Sequence, residues 1–180
     1  IAIGGSATIT GDGTSGLYIW GAQLIESAKP LPYVKTIEAS ASQTFAETLR
    51  QEYNPATGEA LGALIEGSST NLALRSEEFD NASWTKSAGA SILTNTIAAP
   101  DGTTSAEKLT ATSTASALVQ AYQTITTVAA STYATSFYVK AAEVSFVQLR
   151  WNGGHVANDP RVNFQLIGDG VIGTQDADVS

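Results

Sequence analysis

One histidine, His155, stands in "WNGGHVANDP", which also holds Trp151, Asn152, Asn158 and Asp159. An aromatic face beside amide, imidazole and carboxylate groups can stack on a sugar ring and hydrogen-bond its hydroxyls. These five residues are the glycan-binding candidate, with core or turn packing of Trp151 as the alternative. A lone histidine cannot supply a two-histidine metal site, and no acid stands at the helical spacing of zincin geometry. As a general base it lacks a partner, because the chain has no G-x-S-x-G or other nucleophile signature.

Acids gather in "RSEEFDNASW", at Glu77, Glu78 and Asp80. Paired carboxylates hydrolyse glycosides when they face each other across a cleft. Neighbouring positions of an extended segment point to opposite faces, so Glu77 and Glu78 cannot form that pair locally and read as a solvated acidic edge. Asp80 with nearby backbone carbonyls is a candidate for a structural Ca2+ site, since hard oxygen ligands in a turn suit that ion. No other cofactor is expected. The glycines of "GDGTSG" invite a phosphate-loop reading, but no lysine follows and no helical pattern opens, so they read as a turn. No residue is assigned to catalysis, and the chain is not expected to be an enzyme.

Charge narrows the partners. The net charge is -8, with nine Lys+Arg against seventeen Asp+Glu. Binding driven by phosphate neutralisation has no source here, which argues against nucleic acid. An acidic surface also repels anionic lipid, and no apolar run approaches the roughly 18 residues of a membrane span, so no membrane insertion is expected. The absence of cysteine excludes disulfides, thiolate nucleophiles and thiolate metal sites. A composition rich in Thr, Ser, Ala and Gly, with 14% charged residues, resembles extracellular or virion β-proteins. There is no methionine, and "IAIGGSATIT" lacks the basic region and apolar core of a signal peptide, so the chain is expected to be a fragment of a longer protein or a processed product.

The elements that must position these residues read as strands. "ALVQAYQTITTV" (117–128), "TYATSFYVKAA" (132–142) and "VSFVQLRWNGG" (144–154) combine β-branched and aromatic enrichment with alternation. Turn chemistry separates them at "APDG" (99–102), "NGG" (152–154), "NDP" (158–160) and "GDG" (168–170). "LRQEYNPATGEALGALIEG" (49–67) predicts a hairpin around "NPATG", with Gly58 available for a positive φ. A short helix over 42–52 competes with it, because Thr44 and Glu47 have capping-box spacing. Trp20 and Trp84 read as core. Strands joined by Gly, Pro and Asp turns, without regular intervening helices, indicate a sandwich or barrel.

Four stretches together resemble predicted phage and prophage tail proteins. "YNPATGEALGALIEGSSTNLALRSEEFDNASWTK" (53–86) is similar to their "DPxTG…GLLIE…RTNLLLxSExFDNxxWTK" run. "AAPDGTTSAEKLTAT" (98–112) is similar to "APDGTxTADKL", "STYATSFYVKAAE" (131–143) to "TYTxSxYVKA", and "RVNFQLIGDGVIGT" (161–174) to "xNFDLxTGxVGT". The resemblance covers most of residues 50–175. It departs at Ser69, where the family commonly has arginine, and the chain stops before the family's "GWYR" strand. "SGLYIWGAQLIESAKPLPYVKT" (15–36) resembles the family's closing strand and tail, "VYVWGAQLE" and "YIPT".

The resemblance implies an all-β, antiparallel jelly-roll β-sandwich akin to carbohydrate-binding modules and concanavalin A-like lectins. Residues 1–36 are expected to be the closing strand and tail of a preceding module, or to complete the sandwich. Residues 37–48 read as a linker and 49–180 as a C-terminally incomplete sandwich module. An isolated strand cannot bury an apolar face, so Tyr18, Trp20 and Leu24 on one side, or Leu17 and Ile19 on the other, require a partner sheet in this chain or a neighbouring subunit. The implied function is a structural, receptor-facing module of a bacteriophage tail fibre or virion appendage. It would be extracellular as part of the virion, homo-oligomeric (a trimer is plausible), bound to other virion proteins and directed to a bacterial surface glycan. The alternatives are a carbohydrate-binding module of a secreted glycan-active enzyme and a purely structural decoration or spacer domain.

Overall fold

The computed structural model describes residues 2–4, 11–43, 50–53, 57–64, 69–112, 118–152, 160–166 and 171–175. These residues form strands and no helix, and every strand pairing is antiparallel. In chain order the strands are β1 (Ala2–Gly4), β2 (Gly16–Glu26), β3 (Ala41–Gln43), β4 (Arg50–Tyr53), β5 (Ala60–Leu64), β6 (Ser69–Asn71) and β7 (Thr85–Lys86). They continue as β8 (Ala90–Ile97), β9 (Ala106–Ala111), β10 (Gln120–Tyr122), β11 (Tyr133–Ala141), β12 (Phe146–Arg150), β13 (Arg161–Gln165) and β14 (Val171–Gln175).

Two sheets dominate. One has the order β14-β13-β12-β1-β10-β7 and the other β11-β2-β9-β8, with small two-stranded ladders β3-β6 and β4-β5 beside them. Leu17, Ile19 and Leu109 of the four-stranded sheet meet Ala121 and Val147 of the six-stranded sheet in one apolar cluster, joined by Phe79 and Trp84 from the connecting turn. The architecture is therefore an all-β sandwich. Phe79 and Trp84 are 0% and 1% exposed and their rings lie 4.7 Å apart, in the range where aromatic pairs add to area burial.

The opening residues are interior to both sheets. β1 lies between β10 and β12, and β2 between β11 and β9. The apolar run of β2 thus finds its partner sheet within its own chain. An Asx turn starts the strand: Asp12 accepts hydrogen bonds from the Thr14 and Ser15 N–H groups, at 2.9 and 2.6 Å, and Gly13 has φ +81°. "GDGTSG" is accordingly a turn.

β2 is not uniformly alternating. Gln23 pairs with Ser136 and Trp20 with Tyr138, so two residues of β2 oppose the single Phe137. The extra residue sits at Gly21, whose φ of +62° suits glycine, and marks a β-bulge. Beyond it the faces exchange. Leu24 pairs with Thr135 and lies on the face opposite Trp20, which corrects the shared face expected from alternation.

Other expectations divide. β4 and β5 form the hairpin expected at 49–67, with Gly58 at φ +70°; of the competing helix over 42–52, the described flanks Ala41–Gln43 and Arg50–Tyr53 are strand, and 44–49 lie outside the described residues. Among the described residues 118–128, strand is confined to Gln120–Tyr122, and just beyond it the Gln123 side chain binds the Leu74 backbone and the Ser83 carbonyl. Trp20 and Trp84 are both buried.

Candidate functional site

The outer face of the four-stranded sheet carries an open recess. Alternation in β2 turns Leu17 and Ile19 inward and Tyr18 and Trp20 outward; in β11 it turns Phe137 and Val139 inward and Tyr138 and Lys140 outward. Antiparallel register then places Tyr138 opposite Trp20 and Lys140 opposite Tyr18. These side chains, with Ile97 and Pro100, line an open depression of about 280 Å³. Tyr138 is 46% exposed, whereas Trp20 beneath it is 4% exposed.

The rings are held in place. Trp20 lies 4.7 Å from Tyr33 and 5.4 Å from Tyr138 between centroids, and its indole N–H donates to Ser105 Oγ at 3.0 Å. Ser105 follows the "APDG" turn, which is closed by the Gly102 N–H on the Ala99 carbonyl and by Asp101, which accepts from the Thr103 hydroxyl. Those bonds from Thr103 hold the Asp101 carboxyl below its usual range. At the opposite end of the wall, Lys108 stands 5.8 Å from the Tyr18 ring centroid and pairs with Glu143 at 2.7 Å. Lysine so placed gives a cation–π contact, and its hydrogen bond lowers the Glu143 carboxyl.

A second constellation, largely buried, ties residues 31–36 and 71–77 to β2. Asn71, fully buried, uses its complete amide: Oδ1 accepts from the Leu24 and Ala73 N–H groups and Nδ2 donates to the Ala22 and Val34 carbonyls. Gln23 binds the Leu31 carbonyl and the Val34 N–H, tying residues 31–36 onto β2. Thr36 and Ser76 bind each other through the Thr36 N–H to Ser76 Oγ and the Ser76 N–H to Thr36 Oγ1, and the Thr36 hydroxyl also donates to the Ala73 carbonyl. Tyr33 completes the cluster with its phenol 2.6 Å from Ser76 Oγ and 3.1 Å from Glu77. Burial pushes the Tyr33 phenol well above its ordinary range, and the Glu77 charge adds to the shift.

Of the acids expected at a solvated edge, Glu77 departs from that reading while Glu78 and Asp80 reach solvent. Glu77 is 6% exposed and forms an ion pair with Lys35 at 2.5 Å, so it belongs to this internal cluster. Glu78 pairs with Arg75 at 2.8 Å. Asp80 is exposed, and the Lys86 ammonium donates hydrogen bonds to the Asp80 and Asn81 backbone carbonyls, at 2.8 and 3.1 Å. An ammonium at these carbonyls disfavours a dication on the same oxygens. Among the described residues no group of three or more His, Cys, Asp and Glu could hold a metal ion.

The glycan candidates are placed only in part. Trp151 follows β12, half-buried, with its N–H on the Pro160 carbonyl at 3.0 Å, and Asn152 is exposed. His155, Asn158 and Asp159 lie outside the described residues. The residues missed by sequence reasoning are Tyr138 and Lys140. Their alternation with Phe137 and Val139 was a usable signal; their register against Tyr18 and Trp20 was not. Comparison with protein-family models, curated proteins and solved structures finds no match for the chain.

Proposed function

We propose that the chain is a structural and receptor-facing module of a phage tail fibre or related virion appendage, a jelly-roll sandwich that assembles with copies of itself and with other virion proteins and contacts a bacterial surface glycan. One observation carries this reading: the stretches that resemble tail proteins converge on one sandwich. "LYIWGAQ", "LPYVKT", "TNLALRSEEFDNASW", "APDGTTSAEKL" and "TYATSFYVKA" meet through Trp20, Tyr33, Asn71, Ser76, Ser105 and Tyr138. Their amides, hydroxyls and the Glu77 carboxylate are engaged in holding the fold, which suits a load-carrying module that recognises without reaction. The chain crosses between the two sheets repeatedly, from β1 to β2, from β7 to β8, from β9 to β10 and from β10 through β11 to β12, which supports a sandwich reading.

Two measurements test it. The gene encoding the whole protein is located and its product is sought by antibody labelling of purified particles; an appendage position is the expected result. The folded protein is also screened against bacterial surface polysaccharides, with Trp151→Ala as a control. Attachment of the chain to a glycan-cleaving catalytic domain, with no particle labelling, overturns the virion reading in favour of a carbohydrate-binding module of a secreted enzyme.

A further inference from the structure

The recess on the outer face of the four-stranded sheet has a chemistry of its own. Its volume, about 280 Å³, stands near the small end of ligand pockets, which start at about 300 Å³, and suits one ring-sized group. Its walls are the Tyr18 and Tyr138 rings, and aromatic faces are electron-rich, which favours the weakly positive C–H face of a pyranose. Tyr138 is both exposed and restrained. It stands over Gly21, where an added Cβ would come within 3.0 Å of the ring, and its flank rests on Trp20. A ring fixed before binding loses little freedom when a ligand arrives.

The rim adds a charge. Lys140 is exposed, lines the recess and stands in register with Tyr18. Lys108, the other lysine beside Tyr18, is neutralised by Glu143, whereas Lys140 forms no ion pair among the described residues. On a chain of net charge -8, an uncompensated lysine beside two aromatic rings is a local exception to a field that repels anions.

We propose that this recess binds one residue of an acidic saccharide, with the sugar ring against Tyr138 and Tyr18 and its carboxylate at the Lys140 ammonium. The inference rests on the receptor-facing reading above and moves its contact surface from the Trp151 stretch to the opposite sheet.

The test is calorimetric titration of the whole 180-residue chain with galacturonate and glucuronate oligosaccharides, with neutral glucose oligosaccharides and an acidic peptide as controls. The acidic sugars bind in preference to both controls, and added salt weakens them because the rim is solvent-exposed. Lys140→Gln weakens them about tenfold, the loss expected when a charge-assisted hydrogen bond goes, and brings them level with the neutral sugar. Tyr138→Leu removes binding at an unchanged melting temperature. Acidic-sugar binding that survives both substitutions overturns the site; if Trp151→Ala then removes it, the receptor-facing reading stands without this recess. Equal binding of the acidic peptide overturns the saccharide assignment. Absence of binding to any saccharide, on these titrants and on the polysaccharide screen, overturns the site and the glycan part of the functional reading together, while particle labelling decides the virion part separately.

Discussion

At Gly21 the backbone has φ +62° and a Cβ would approach the Tyr138 ring at 3.0 Å. Gly21→Ala therefore adds a left-handed conformation to a contact, and it is expected to destabilise the protein by about 1–2 kcal/mol from the backbone alone. Denaturant unfolding measures the loss, and the fluorescence of Trp20, which touches the displaced ring, reports the local change. Asn71 predicts a larger effect. Asn71→Ala leaves the Leu24 and Ala73 N–H groups and the Ala22 and Val34 carbonyls without their partner, and each buried orphan costs about 1–3 kcal/mol. Loss of a cooperative transition, followed by circular dichroism, is the expected outcome; a shift of less than about 1 kcal/mol would remove Asn71 from the role described.

Among the elements, β9 is tied to the "EEFDN" turn by one buried carboxylate. Glu107 accepts hydrogen bonds from the Phe79 and Asp80 N–H groups at 2.6 and 3.1 Å. Burial, with the Asp80 charge, raises its carboxyl to about 7 despite those bonds. The folded protein consequently binds this proton more tightly than the unfolded chain does. The stabilisation is complete below the ordinary carboxyl value of 4.5 and is lost as pH rises towards about 7. Urea midpoints measured between pH 4.5 and pH 8 are expected to fall across that window, and Glu107→Gln, which stays neutral, flattens this contribution relative to wild type. Equal slopes in the two proteins would dismiss it. The strands themselves were legible: period-two alternation marked β11 and β12, and Pro55 with Gly58 marked the β4-β5 turn. An inserted residue was not, because a bulge at Gly21 leaves the apolar count unchanged while exchanging the faces beyond it. Glu77 was misread for a related reason. Its partners Lys35 and Tyr33 lie some forty positions away in the chain, and local spacing carries no information about them.

For the whole molecule, the legible part was the all-β class and the need of the "GLYIWGAQLIE" run for a partner sheet. Composition and turn chemistry carried the first, and an apolar strand with no local hairpin mate carried the second. The recess was not legible, since it is made where β2, β8, β9 and β11 meet and no one segment contains it. A truncation tests the architecture. Removal of residues 1–26 takes an interior strand from each sheet and Leu17, Ile19 and Ala22 from the core. The remainder is expected to lack a cooperative thermal transition and to be digested by protease, with a separately supplied peptide spanning 11–36 restoring protection. A truncated protein that melts like the full chain would mean that the opening strands are ornaments of the sandwich.

The interior position of those strands also sets an order of events in time. Residue 3 pairs with residue 149, and residue 19 with residue 139. Neither sheet can close until strands far apart in sequence have met, so contacts of such long range make folding slow, and only local pairs such as β4-β5 and β8-β9 can form before then. Until then "LYIWGAQLI" is an apolar, β-prone segment without its partner strands. The strand that organises the finished sandwich is thus open to association with other chains until its own partners reach it.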